Sequence, residues 1–154
     1  MRIEQLAINS VSTRHHNLEE ALDAYAAAGF RNVEFTLAHV KDWLAQGHSV
    51  ADVRRLLDDR GLRCIGGFQA QVECFSTPEA RRANRQLHVE NIRLIHELGG
   101  GTLVVGVDGP SAPRDDSLDV VADRMRELIE TTDGLNVAIA IEFNWSPLIR
   151  ILKS

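Results

Sequence analysis

Four times in 154 residues the chain repeats one unit: an amphipathic helical pattern, a glycine, two or three residues, then a short apolar or β-branched run. The copies are AAAGFRNVEF (26–35), DDRGLRCIGG (58–67), HELGGGTLVV (96–105) and TTDGLNVAIA (131–140). Each glycine stands where a helix ends in a residue of positive φ. Strands are expected to start near residues 3, 33, 62, 102 and 137. Steps of about 30 residues or more suit a strand, a crossover helix and a parallel strand. The order is therefore βαβαβαβαβ. Alternation without hairpins leaves a doubly wound open sheet or a β/α barrel.

Helical stripes agree with this order. Leu18, Ala21, Leu22 and Tyr25 share a face, as do Val50, Val53, Leu56 and Leu57. So do Leu87, Asn91, Leu94, Ile95 and Leu98, and then Leu118, Val121, Met125, Leu128 and Ile129. Thr77 and Pro78 mark the start of the third of these long helices, and Asp115, Asp116 or Ser117 can cap the fourth. After the first strand AINSVSTRHH holds no glycine, which argues against a dinucleotide-binding first turn.

The last strand, VAIAIEFNW (137–145), is apolar on both faces until Glu142. Ala138, Ala140 and Glu142 alternate with Val137, Ile139, Ile141 and Phe143, a pattern expected of a strand buried on both sides. In parallel α/β folds the chemistry gathers at the carboxyl ends of strands. Those ends carry Asn9; Glu34 and Thr36; Gln69 and Gln71; Asp108; and Glu142 with Asn144. Glu34 and Thr36 alternate with Val33, Phe35 and Leu37, so they point inward in a barrel. A carboxylate there needs a partner, a metal or a proton.

Charge and composition exclude several classes. Seventeen basic against twenty-two acidic residues, with no basic stripe, argue against nucleic acid as a partner. No segment has the roughly 20 apolar residues of a membrane span, and the amino-terminal stretch lacks a signal-peptide run, so a cytoplasmic protein is expected. Cys64 and Cys74 match no zinc or redox spacing and read as free thiols. The six histidines show no metal-ligand spacing. His88 and His96 fit helix positions; His39 and His48 flank a short helix around Trp43; His15 and His16 follow the first strand, where a barrel mouth would bring His15 to a substrate. Trp145 would stand at the rim as a substrate wall or as a cover for the core.

GFRNVEF, ELGGGTLVV and above all AIEFN together resemble the xylose isomerase-like TIM-barrel family, over essentially the whole chain. That family includes sugar and sugar-phosphate isomerases and epimerases, inosose dehydratases and endonuclease-like relatives. The resemblance implies a divalent metal, Mn2+, Mg2+ or Co2+, held by side chains at the ends of strands five to eight. Glu142 matches the strand-five glutamate, implying both a metal ligand and a catalytic acid/base group that takes a proton from the carbon beside a carbonyl. Glu34 matches a glutamate of the second strand and is expected to line the sugar pocket with Asn9, His15, Gln69, Asp108 and Trp145. The endonuclease branch is disfavoured, because its histidines are replaced by Gln69, Gln71 and Asp108.

Only twelve residues follow Glu142, whereas a complete barrel takes about 250. The expectation is the N-terminal portion of one TIM-barrel domain over 1–154, a partial barrel of about five parallel strands, inactive alone. Three readings follow. The first is a metal-dependent sugar or sugar-phosphate isomerase or epimerase. The second is a dehydratase of an inosose or dehydroshikimate-like substrate, which begins with the same proton abstraction. The third is a non-catalytic half-barrel that self-associates through its exposed sheet edges.

Overall fold

The computed structural model describes residues 3–112, 114–142 and 148. Five strands, β1 (Ala7–Asn9), β2 (Asn32–Thr36), β3 (Arg63–Phe68), β4 (Thr102–Val105) and β5 (Ala138–Ile141), form one parallel sheet in sequential order. Five α-helices, α1 (Leu18–Ala27), α2 (Leu37–Leu44), α3 (Val50–Asp59), α4 (Pro78–Glu97) and α5 (Ser117–Thr131), fill the connections. Sequential order with every pair parallel is the winding of a β/α barrel; a doubly wound sheet reverses its strand order. The described residues thus form a partial barrel.

The core lies between the helices and one face of the sheet. Val33, Phe35, Leu103 and Val105 from the strands meet Leu18, Leu22, Val53, Ile92, Ile95 and Leu128 from the helices, all fully or almost fully buried. Helix ends follow the repeated glycines. At the end of α1 Gly29 has φ +88°, and the Phe30 N–H donates to the Tyr25 carbonyl at 3.1 Å. At the end of α4 Gly99 has φ +80°, with Gly100 N–H to the Ile95 carbonyl at 2.9 Å. Gly61 and Gly134 repeat the device. Thr77 caps α4 through a 3.3 Å bond from the Ala80 N–H, ahead of Pro78 at the first helical position.

Several expectations need correction. The first strand does not start near residue 3: Ile3–Gln5 is a 3-10 turn, and β1 begins at Ala7. Leu37 does not extend β2 but opens α2, so the second crossover carries two helices. Leu118 and Ile129 drop out of the α5 stripe, being 52% and 55% exposed, because only Val121, Met125 and Leu128 turn towards the sheet. Asp116 occupies the N-cap position of α5 without capping it, since its carboxylate binds the Arg114 guanidinium at 2.6 Å and 2.9 Å instead. The largest correction concerns β5, which is not buried on both sides. It is an edge strand, with Ala138 and Ile141 exposed, because among the described residues it pairs only with β4.

Candidate functional site

Register places the side chains of the strand ends. Asn9 pairs with Glu34, and Glu34 with Gly66, across a bulge that skips Ile65. Val33, Phe35, Leu103 and Val105 face the helices, so Glu34, Thr36 and Val104 alternate onto the inner face. Ala140 pairs with Val104, which puts Ala138, Ala140 and, two residues further, Glu142 on the same inner face.

On that face the Asn9 amide donates directly to the Glu34 carboxylate, while its oxygen accepts the Val11 N–H at 2.9 Å. One asparagine thereby ties the turn after β1 to the carboxylate of β2. Buried Ser10 tightens the same junction by accepting the Thr36 N–H on its hydroxyl at 2.6 Å. Thr36 itself keeps a buried hydroxyl without a partner. Gln69, just past β3, accepts from Lys41 Nζ at 3.0 Å. Burial holds the Lys41 ammonium below its usual pKa, partly offset by attraction to Glu90. Lys41 was not anticipated, although it falls one turn after Leu37 on the sheet side of α2, a placement that helical spacing alone reveals.

The remaining expected residues are dispersed. The Asp108 carboxylate accepts the Cys74 N–H at 2.6 Å and the Phe75 N–H at 3.1 Å and 3.3 Å, anchoring the loop between β3 and α4. His15 is exposed and accepts from neighbouring Arg14 at 3.4 Å. Glu142 ends β5 exposed, its N–H bonded to the Val105 carbonyl at 2.8 Å. Trp145 lies outside the described residues, as do Phe143 and Asn144. His39 and His48 do border a cavity with Trp43, on the helix side, where the His48 ring stacks on Trp43 with centroids 3.7 Å apart.

A divalent cation needs several oxygen or nitrogen ligands converging on one point. Among the described residues no group of three His, Cys, Asp or Glu side chains converges in that way. The described part of the chain therefore does not make a metal centre by itself. Both cysteines are free, as expected, and both are buried. No helix among the described residues is long and apolar enough to cross a membrane.

Among solved structures, the IolI protein with a bound zinc atom superposes with a TM-score of 0.73 at 15% identity, covering 88% of this chain and 50% of that one. A sugar phosphate isomerase/epimerase from Parabacteroides distasonis ATCC 8503 gives 0.64 at 15% identity, covering 92% and 51%. A xylose isomerase-like TIM barrel/4-hydroxyphenylpyruvate dioxygenase fusion protein gives 0.67 at 26% identity, covering 95% and 23%. The chain thus spans about half the length of the first two and less of the fusion. No curated protein sequence matches. The family described as xylose isomerase-like TIM barrel matches residues 22–151. With five parallel strands in barrel order and a family match over most of its length, the chain belongs to the xylose isomerase-like TIM barrel family.

Proposed function

We propose that residues 1–154 supply the N-terminal portion of a single TIM-barrel domain that isomerises or epimerises a sugar or sugar phosphate. The observation that carries the reading is the inner face itself: Asn9 locked to Glu34, the unpaired Thr36 hydroxyl, Gln69 held by Lys41, and Glu142 at the carboxyl end of β5. In this reading Glu142 takes the proton from the carbon next to a substrate carbonyl. Its exposure at the strand end leaves the carboxylate free to do so. Glu34, oriented by Asn9, accepts hydrogen bonds from substrate hydroxyls, while Gln69 and the Lys41 ammonium offer donors to a carbonyl or phosphate. Asp108 shapes the loop above β4. His15 and Trp145 are retained as rim contacts.

A divalent metal belongs to this proposal only with ligands from outside the described residues, Glu142 contributing one carboxylate. The zinc-bound IolI neighbour supports a metal in the complete barrel and leaves its identity open among Mn2+, Mg2+, Co2+ and zinc. Water elimination from a keto-polyol starts with the same proton transfer and remains the alternative reaction.

The test joins this chain to the C-terminal half of the IolI protein and follows deuterium uptake from D2O into a panel of ketoses and ketose phosphates by proton NMR. Glu142→Gln is expected to slow exchange by about 100-fold or more. Exchange within twofold of the parent would sink the assignment. A second reading, self-association, is favoured by the edge strands: β1 and β5 each pair on one side only among the described residues, and Ile141 is 39% exposed. Light scattering on the purified chain decides it, a monomer excluding this reading.

A further inference from the structure

On the helix side of the sheet, between α4, α5 and the loop after β3, lies a cavity of about 240 Å³. Its charged lining is four arginines, Arg81, Arg82, Arg85 and Arg124, against two glutamates, Glu73 and Glu127. That excess of positive charge sits in a chain whose net charge is −5. The glutamates only partly occupy the guanidinium groups. Glu127 pairs closely with Arg124 and reaches Arg85 only at 4.0 Å. Arg82 turns to Glu79 at 3.3 Å, in a pair about two-thirds exposed on each side, which water largely screens. Arg81 spends one N–H on the Ser76 carbonyl at 3.0 Å.

The wall behind these arginines is built, not accidental. Asn84 clamps the loop, accepting the Glu73 N–H at 3.0 Å and donating to the Gln71 carbonyl at 2.9 Å. His88, fully buried, meets the same carbonyl through Nε2 at 3.2 Å. A carbonyl can only accept, so this contact makes Nε2 the protonated nitrogen and leaves Nδ1 with a lone pair. Burial lowers the His88 pKa and keeps the ring neutral, the Gln71 contact opposing this and the Lys41 charge adding to it. The Arg124 Nε and His88 Nδ1 atoms lie buried behind this lining without partners, whereas the Arg85 and Arg124 side chains remain 49% and 31% exposed. A small oxyanion answers the guanidinium groups that the glutamates leave partly free.

We propose that this cavity is a binding site for a small phosphate-bearing ligand, with the phosphate among Arg81, Arg85 and Arg124. Planar guanidinium forks match the oxygens of phosphate. The volume falls below the roughly 300–1,000 Å³ of drug-sized pockets, which restricts the ligand to a phosphate and a few carbons. The cavity lies on the helix side and the inner face on the other, so the arginines named here are separate from Glu142 and the other inner-face residues.

Calorimetric titration of glycerol phosphate and inorganic phosphate into the 154-residue chain, at one fixed ionic strength, tests the proposal. Saturable binding with one site per chain is expected, weakened by about tenfold or more in Arg85→Ala and in Arg124→Ala. Arg124→Lys keeps the charge but removes the planar guanidinium fork, and is expected to lose about fivefold. Arg54→Ala, on α3 beside a different cavity, should bind as the parent does. Saturable binding of either probe with that dependence on Arg85 and Arg124 supports the site. The site itself is overturned if neither probe binds saturably, or if Arg54→Ala weakens binding as much as Arg85→Ala.

Discussion

Replacing Gly66 by alanine should damage the sheet more than any comparably small change. Gly66 pairs with Glu34 on one side and Thr102 on the other, in the middle of the five strands. A Cβ built on it would lie 2.2 Å from the Thr102 carbonyl oxygen and 3.1 Å from the carbonyl carbon. The closest ordinary carbon–oxygen approach is about 3.3 Å, so β3 and β4 would have to part by about 1 Å. The obstructing atom is backbone, and no rotamer change relieves it. Overpacking costs about 1–3 kcal/mol, and each ladder hydrogen bond lost adds about 1 kcal/mol, giving about 3–5 kcal/mol in all. At about 2–4 °C per kcal/mol for a domain of this size, the melting temperature should fall by about 6–20 °C. Gly101 is the control, since a Cβ there meets nothing within 4 Å. Gly101→Ala should be neutral or stabilising by up to about 1 kcal/mol. Thermal and urea melts followed by circular dichroism give both numbers. A Gly66→Ala protein melting within about 2 °C of the parent would refute the packing argument.

Asn32→Ala should cost about 2–3 kcal/mol in urea titration, because Asn32 is buried, donates to the Glu4 and Leu6 carbonyls at 3.0 Å and 2.9 Å, and accepts from Arg63 at 2.6 Å; a loss under about 0.5 kcal/mol would show the N-terminal segment to be held otherwise. Burial pushes the Cys64 thiol up to about 11 and the Cys74 thiol up to about 12, so both should react with Ellman's reagent at pH 8 only after denaturation. The same shifts give a pH dependence. The folded state keeps these protons above the unfolded thiol value of about 8.5, so their contribution is complete below that pH and stability falls as pH rises towards 11 and 12. A melting temperature that rises between pH 9 and 11 would contradict this sign.

Local chemistry determined much of the architecture. Glycine is the residue that takes positive φ without cost, so the four repeated glycines mark helix ends whatever surrounds them, and Gly29, Gly61, Gly99 and Gly134 do so. Strand alternation likewise put Glu34 and Thr36 on the face opposite Val33 and Phe35 before any neighbour was known. What a strand buries is a different matter, because burial depends on which elements lie beside it. Val137 to Ile141 reads as a strand covered on both faces, yet at the sheet edge its Ala138 and Ile141 are exposed. Partner choice is equally tertiary. Nothing in the spacing of residues 9, 34, 41, 69 and 108 distinguishes Asn9 and Lys41, which reach across to Glu34 and Gln69, from Asp108, which turns back to hold a loop. The arginines of α4 and α5 are ordinary helix-surface residues in sequence. Only the packing of those two helices over the Gln71 carbonyl gathers them round one cavity. Backbone preference acts within a few residues and is written in the chain, whereas charge convergence and burial arise between residues tens of positions apart, where only the fold sets the distance.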